Sequence, residues 1–453
     1  MLLILANYLE DGLRGGFMGI FKFLTAKGIR IPNHKEKTKD LKIEDMKAPK
    51  YLCYPMSMHI GKPAKPTVKV GDIVKIGTLI GESEEGVSAN IHASVSGKVV
   101  SVGEEEGFRG DSESIIIEND YRDDKEKLEE LFEDITIEDF VDRLEKAGIT
   151  GKGGAGFPAH IKYDMERNEV KYLVINGAEC EPYSTADHRC MVEYADEIVK
   201  ITKLILKIYH VNEAYIAVEK DMKESKDALD KAIKKSKTEN IRLYELPTLY
   251  PQGHEALQID QILGIEIKQG QLPGDLGVLL SNVSTIKAIY DVIFKNESFH
   301  KRIITVTGPM IQNPKNVMVR IGTKVESIVE ACGGFHEGER INIKGGPMMG
   351  KSFEDLSLPV DKDTTTLLFL KKDSKEEERS CIRCARCINH CPVSLQPILI
   401  SNAYRNLEYK MGITLKSESC ISCGTCSYIC PSRINLLDDI QKLNKEMEGK
   451  EDE

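Results

Sequence analysis

The chain has 453 residues, 41% of them hydrophobic and 30% charged, with a formal net charge of −10. Length alone suggests about three domains, and the acidic balance implies no nucleic-acid partner. No apolar run reaches the roughly 18 residues that mark a candidate transmembrane helix.

At the N-terminus the apolar run starts at Met1, without the positive region that a signal peptide carries before it, and Glu10, Asp11 and Arg14 interrupt it. Residues 17–28, FMGIFKFLTAKG, read either as a short amphipathic turn lying on a membrane or partner, or as a frayed extension. Residues 31–50, rich in Pro, Lys and Asp, read as a loop into the first domain. Residues 51–121 then have an all-β pattern, with strands expected at 68–70, 74–76 and 79–80 between the breakers Gly71-Asp72, Gly77 and Gly81. This stretch resembles the biotinyl/lipoyl carrier sandwich. Carriers hold a Lys at the hairpin tip, whereas residues 84–91 contain none, so a structural or docking module is expected rather than a swinging arm. Residues 120–144 are charged and read as helical, with Thr136 and Glu138-Asp139 as a helix start and Gly148 as a stop.

The next stretch carries chemistry. In GKGGAGFPAHIKY, Gly151, Gly153, Gly154 and Gly156 leave bare backbone N–H groups that can approach and wrap a phosphate. The spacing fits neither the dinucleotide fingerprint nor the P-loop, so by itself a Gly-rich turn is the competing reading. VKYLVINGAECEPYSTADHR follows at 170–189. Residues 170–175 read as a buried strand that ends at Asn176-Gly177 and presents Glu179, Glu181, Asp187 and His188 beyond its C-terminal end. Open α/β sheets hold their ligands at that end. Together the two motifs resemble the flavin- and NADH-binding subunit of respiratory complex I, with Lys152 in place of the family's Arg, Tyr163 in place of Trp and Ala178 in place of Asp.

The α/β pattern continues to residue 299. A strand in AYIAVEK precedes a Lys-rich helix at 221–236, and IRLYELPTLYPQGHEALQIDQILG reads as strand, turn and helix. The complex I resemblance sets Gln252, Gly253, His254 and Glu255 in a turn facing the cofactor, and Asn282 and Thr285 near the flavin phosphate. A helix N-cap accounts for Asn282 equally well. Residues 302–350 read as strand, strand, helix, strand, similar to the β-grasp domain of the same flavoprotein, with Met348-Met349 as packing residues. TTTLLFLKK adds a strand, and DSKEEERS is a charged linker.

Eight of the twelve cysteines lie in CIRCARCINHCP and CISCGTCSYICP. Each is the C-x-x-C-x-x-C-x-x-x-C-P run of bacterial ferredoxins, in which the fourth Cys of one run serves the other cluster. Cys381, Cys384, Cys387 and Cys430 are therefore expected on one 4Fe–4S cluster, and Cys420, Cys423, Cys426 and Cys391 on a second. Zinc sites usually show two C-x-x-C pairs instead. Cluster thiolates imply a reducing compartment. Cys53, Cys180, Cys190 and Cys332 read as small buried apolar residues. Between the runs, Leu399, Ala403, Leu407 and Met411 suggest one apolar helical stripe, and residues 446–453 read as a solvated, disordered tail.

From residue 51 to 437, including MHIGKPAKPTVKVGD, HASVSGKV, GKGGAGFP, NGAECEPYSTADHR, YPQGHEALQ, KGGPMMG and both Cys runs, the chain is similar to the RnfC family, the C component of the Rnf electron transport complex. The family's Gly-Gly and His before the first Pro are replaced by AKGIRIPNHKE. The resemblance implies a multidomain α/β and α+β chain. Its parts are an extension and leader loop (1–50), a biotinyl/lipoyl-like β sandwich (51–121) and a Rossmann-like FMN/NAD-binding α/β domain (122–299). A β-grasp, SLBB-like domain (300–372) and a helical ferredoxin-type domain with two 4Fe–4S clusters (373–445) follow. It implies FMN and NAD(H) bound by Gly151, Gly153, Gly154, Gly156, Lys162, Asn176, Glu179, Glu181, Asn282 and Thr285. The implied role is electron exchange between NAD(H) and the clusters, within a membrane-bound, ion-translocating NAD:ferredoxin oxidoreductase. Its partners would be other membrane subunits and ferredoxin, its place the cytoplasmic face of a prokaryotic membrane. A soluble NADH-oxidising donor to a cytosolic reductase, and a flavin-free adaptor, are the alternatives. A flavin belongs in the chain because nicotinamides exchange two electrons and clusters one.

Overall fold

The computed structural model describes residues 28–130, 134–152, 156–165, 170–268, 270–372 and 377–451. Most of the turn expected at 17–28, the loop glycines Gly153 and Gly154, and residues 373–376 of the charged linker lie outside them. No helix among the described residues is long and apolar enough to cross a membrane.

The first unit is antiparallel. A four-stranded sheet in the order Tyr51–Pro55, Gly110–Asn119, Gly97–Gly107, Ile73–Val74 accompanies a three-stranded sheet of Lys65–Pro66, Leu79–Glu82 and Ile91–His92. Leu52, Tyr54, Ile80, Ile91, Ile115 and Ile117 are fully buried. Residues 68–70, expected as a strand, form a turn: Lys69 N–H bonds the Asp72 carboxylate at 3.0 Å, Gly71 N–H bonds the Val99 carbonyl at 2.8 Å, and Val70 is exposed.

Only the second half of the helix expected at 120–144 forms. A capping box of Thr136 and Asp139 opens Ile137–Ala147, and Gly148, at φ 68°, closes it in the left-handed conformation that glycine tolerates best. The segment at 124–128 takes its hydrogen bonds from distant chain instead. Ile76 N–H bonds the Asp124 carbonyl, Glu126 N–H bonds the Ile76 carbonyl, and Leu128 N–H bonds the Asn296 carbonyl. Those backbone groups find tertiary partners, which a helix would have removed.

The α/β unit carries a four-stranded parallel sheet in the order Ile241–Leu246, Ala214–Glu219, Tyr172–Asn176, Val278–Asn282. The chain leaves Tyr172–Asn176 in one direction and returns on its other side, so the strand order reverses between Tyr172–Asn176 and Val278–Asn282. Open sheets place ligands at the C-terminal ends beside that reversal. Asn176 and Asn282 are register partners there. The helices Ala195–Ile208, Lys223–Ser236 and Val283–Phe294 cover the sheet and share a core with the β unit.

The third unit is a six-stranded sheet in the order Ile43–Asp45, Lys315–Arg320, Lys301–Thr307, Thr366–Lys371, Arg340–Lys344, Lys351–Phe353, with helix Val325–Ala331. The leader expected as a loop thus supplies an edge strand, parallel to Lys315–Arg320. Asn316 ties it down by donating to the Thr38 carbonyl at 2.7 Å and the Leu41 carbonyl at 3.2 Å. Lys362, fully buried, donates to the Asn90 carbonyl and, at 2.8 Å, to the Gly148 carbonyl. One ammonium thereby ties this unit to the other two.

The C-terminal unit is helical, with Pro397–Arg405 packed on Leu436–Glu451. The apolar stripe does not form. The helix ends at Arg405, Leu407 takes φ 60°, and Leu399, Leu407 and Met411 are exposed, while Ile400 and Ala403 face the core. The tail expected to be disordered continues the last helix to Glu451. Its Leu443 and Met447 lie so close to Gly412 that a Cβ there would stand 2.7 Å from Leu443 Cδ2 and 2.9 Å from Met447 Sδ.

Candidate cofactor site and cluster cavities

The site is built where Tyr172–Asn176 ends. The Asn176 amide donates to the Gly253 carbonyl at 2.8 Å and accepts from Ala178 N–H at 3.0 Å and Gln258 Nε2 at 2.7 Å. It pins the turn after its own strand to the turn at 250–254, where His254 caps helix Glu255–Leu263. Gln258 is buried and its Oε1 has no hydrogen-bond partner among the described residues.

Glu179 is buried beside it. Its carboxylate accepts from Asp187 N–H and His188 N–H, both at 3.0 Å, in the first turn of helix Ala186–Glu193, where the helix dipole favours negative charge. Its own N–H donates to Glu219 Oε2 at 3.2 Å, and Lys35 from the leader binds its carbonyl. Burial, then the charge of Asp187, raises the Glu179 carboxyl. Burial, helped by the charges of Asp221 and Glu179, raises Glu219 to about 7 against the pull of Lys35.

The other wall comes from the loop and the helix after Asn282. Lys152 Nζ contacts Asp187 Oδ1 at 2.8 Å and Ser284 Oγ at 3.1 Å, and Lys152 N–H bonds Thr285 Oγ1 at 3.0 Å. Asn282 caps Val283–Phe294 through Ser284 N–H at 2.8 Å and donates to Asp187 Oδ2 at 2.9 Å. Burial works to raise Asp187, but Lys152, Ser284 and Asn282 outweigh it and hold the carboxyl below its ordinary value. The loop base is closed by Gly151 N–H to the Phe157 carbonyl at 2.8 Å. Gly156, at φ 70°, sits where a side chain would strain the backbone and meet Arg109 Nη2 at 3.3 Å.

Asn176, Glu179, Asn282 and Thr285 therefore converge, with Lys152, at the strand-order reversal. Lys162 stands at the rim, 3.6 Å from Glu255. Glu181 turns away: its carboxylate accepts from Met348 N–H at 3.1 Å and Met349 N–H at 2.9 Å, and burial raises it to about 7 against those two bonds. Glu219, Gln258 and Ser284 were missed. Glu219 ends its own strand beside Asn176, where the same strand-end rule points, and Gln258 closes the motif YPQGHEALQ, whereas Ser284 has no sequence signal.

This donor and acceptor set fits a flavin mononucleotide: amide and carboxylate groups suit ribityl hydroxyls, and an ammonium, a hydroxyl and a helix N-terminus suit a phosphate.

Each set of four cysteines expected to cross between the runs lines one cavity. One, of about 410 Å³, is lined by Cys381, Cys384, Cys387 and Cys430, with Cys381 and Cys384 exposed. The other, of about 20 Å³, is lined by Cys391, Cys420, Cys423 and Cys426. Burial raises Cys420 to about 11 and Cys426 to about 12, with Cys391 and Cys423 adding repulsion. Thiols so placed need a cationic centre to be held as thiolates. Among the described residues no three His, Cys, Asp or Glu side chains converge on a single-ion site.

The smaller cavity adjoins the flavin-type site. Tyr250 OH, fully buried, donates to the Cys423 carbonyl at 2.7 Å, and Ile29, Tyr250 and Cys423 form an apolar cluster with Cys180, Met348 and Ile421. A Cβ on Gly424 would stand 3.0 Å from the Met348 carbonyl.

Fold and site define an iron–sulfur flavoprotein of electron transport. Family models agree: the Nuo51 FMN-binding domain matches residues 144–291, the RnfC Barrel sandwich hybrid domain 23–122, the SLBB domain 303–352 and the 4Fe-4S dicluster domain 373–431. The chain is 38% identical over 384 residues to the C component of the proton-translocating ferredoxin:NAD(+) oxidoreductase complex of Clostridium ljungdahlii, covering 83% of each. It is 39% identical over 388 residues to the Na(+)-translocating counterpart of Acetobacterium woodii, covering 84% of this chain and 87% of that one. It is 34% identical over 389 residues to the C component of the ion-translocating oxidoreductase complex of Rhodobacter capsulatus, covering 84% and 75%. The chain belongs to the RnfC family.

Proposed function

We propose that this chain is the peripheral subunit through which an ion-translocating ferredoxin:NAD+ oxidoreductase complex exchanges electrons with NAD(H), at the cytoplasmic face of the membrane. The relatives' names as parts of such complexes favour this over a soluble donor. FMN, when bound, supplies the exchange between two-electron hydride chemistry and one-electron carriers. Asn176 and Glu179 orient its ribityl chain. Lys152, Asn282 and Thr285 line the subsite of its phosphate. Gly151, Gly153, Gly154 and Gly156 let the main chain approach the ligand, and Lys162 meets the nicotinamide nucleotide at the rim. Glu181 serves the site by anchoring Met348 and Met349 between it and the cluster loop. Cys391, Cys420, Cys423 and Cys426 hold the flavin-side 4Fe–4S cluster, and Cys381, Cys384, Cys387 and Cys430 hold the outer one, which faces the partners.

The observation that carries this order is the packing of Tyr250 and Met348 on the Cys420–Cys426 loop, with Cys381 and Cys384 exposed on the other side. The test is electron paramagnetic resonance on NADH-treated, anaerobically loaded variants. Cys384→Ser retains an NADH-dependent signal from the flavin-side cluster, whereas Cys423→Ser gives no NADH-dependent signal while dithionite still reduces the outer cluster. The opposite pattern refutes the order, and no NADH response in the wild type refutes the function.

A further inference from the structure

Beside the site, a second small cavity lies between helix Val283–Phe294 and the first strand of the β-grasp unit. Its volume is about 30 Å³, more than the roughly 10–15 Å³ that one ordered water needs. Its walls include Thr150, Lys152, Ser284, Thr285, Lys301 and Arg302. The cations on these walls are mostly spoken for. Lys152 pairs with Asp187 at 2.8 Å and Lys301 with Glu297 at 3.3 Å. Lys287 pairs with Asp291, the acid on this wall, which Lys295 also holds at 2.8 Å.

Arg302 is different. It is 5% exposed, and its Nε and Nη1 have no hydrogen-bond partner among the described residues. Thr150 Oγ1, on the same cavity, is also buried and unpartnered. Asp363, Asp361 and Asp187 are near enough to favour its charge, but none of them forms an ion pair with it. Burial lowers its pKa to about 10, which still leaves it charged at neutral pH. A buried guanidinium with open N–H groups calls for an anion, because desolvating an unpaired charge is costly. The fork of donors suits the oxygens of a phosphate.

We propose that Arg302, delivered by the β-grasp unit, and Thr150 supply the open donors of the flavin nucleotide's phosphate subsite, which Lys152 and Thr285 line. This rests on the flavin reading above and adds that the flavin site is shared between two units. The β-grasp unit then contributes a cofactor-binding residue instead of serving only as a spacer. Either FMN or the dinucleotide could present such a phosphate, and the position beside Thr285 favours FMN.

The test uses the full chain with its clusters loaded and flavin removed, titrated with FMN and with riboflavin, which lacks the phosphate, by quenching of flavin fluorescence. Arg302→Gln is expected to weaken FMN binding about tenfold or more while leaving riboflavin binding unchanged. Arg302→Lys recovers part of the loss, and Thr150→Val gives a smaller loss of the same selectivity. If Arg302→Gln does not fold, the selective loss in Thr150→Val still decides the matter. Equal losses for both flavins would assign Arg302 a structural role and overturn the proposal. So would wild-type FMN affinity in Arg302→Gln and Thr150→Val. A loss of NADH affinity with FMN untouched would assign the anion to the dinucleotide and also overturn it. A wild-type chain that binds neither flavin would instead sink the flavin reading itself.

Discussion

Gly346→Ala is expected to uncouple the β-grasp loop from the flavin-type unit. A Cβ on Gly346 would stand 2.2 Å from Glu181 Oε2, 2.5 Å from its Cδ and 2.7 Å from its Cβ. Its φ is not in the left-handed range, so the conflict is with Glu181 and not with the backbone. The carboxylate must leave, and with it go the bonds from Met348 N–H and Met349 N–H at 3.1 and 2.9 Å. Above pH about 7, where Glu181 is ionised, hydrogen bonds to its charged carboxylate contribute about 1.5–3 kcal/mol each, less what water restores to an opened loop. A net loss of about 2–4 kcal/mol follows, equivalent to roughly 30- to 1,000-fold in a local opening equilibrium. Because the β-grasp unit keeps its own core around Ile304, Val306 and Phe369, the loss is local. Hydrogen exchange measures it at the Met348 and Met349 amides, with iron content as the control for the clusters. The decisive comparison is a double mutant: in a Glu181→Gly background the contacts with Oε2, Cδ and Cβ are all gone, so Gly346→Ala costs much less there. Unchanged exchange in Gly346→Ala, or an undiminished penalty in the double mutant, would refute the reasoning.

Glu219→Gln tests the buried acid. Its carboxyl is raised by burial to about 7 from an ordinary 4.5, so the stability it lends is complete below the lower value and lost as pH rises through the upper one. By linkage the ceiling is about 3 kcal/mol, and the flavin-free variant should gain in Tm over wild type as pH goes from about 5 to 8; an unchanged gap would count against it. Tyr250→Phe removes the bond to the Cys423 carbonyl and strands a buried acceptor, at a cost of about 1–3 kcal/mol. The flavin-side cluster should then be lost faster in air than in wild type, with the outer cluster unaffected, as read from iron content and electron paramagnetic resonance. Cys391→Ala should remove the cluster of Cys420, Cys423 and Cys426, and Cys430→Ala the other. Loss of the Cys381–Cys387 cluster alone in Cys391→Ala would disprove the crossed arrangement.

The chemistry of this chain is legible where it is local. Three thiolates on one tight loop are a matter of spacing, so both Cys runs announce themselves. The capping box at Thr136 and Asp139 and the cap at Asn282 are contacts over two or three residues and were equally readable. A run such as YLVIN is buried on both faces, which marks a parallel strand and the polar residues at its end. What tertiary structure decided is everything that depends on who arrives from far away. The leader became an edge strand because Lys315–Arg320 offered unpaired backbone groups and Asn316 could grip Thr38 and Leu41. The apolar stripe at 399–411 failed because the buried face of Pro397–Arg405 is chosen by Leu436–Glu451, a helix whose polar sequence hides the packing of Leu443 and Met447 on Gly412. Glu181 reads as a ligand residue by its neighbours in sequence, yet two amides from a loop near residue 348 claim it. Arg302 carries no sequence signal at all, since an arginine at the start of a strand is ordinary. Only burial without a partner makes it conspicuous. Local spacing sets which groups can do chemistry, and the packing of distant segments sets which of them are desolvated, paired or left open.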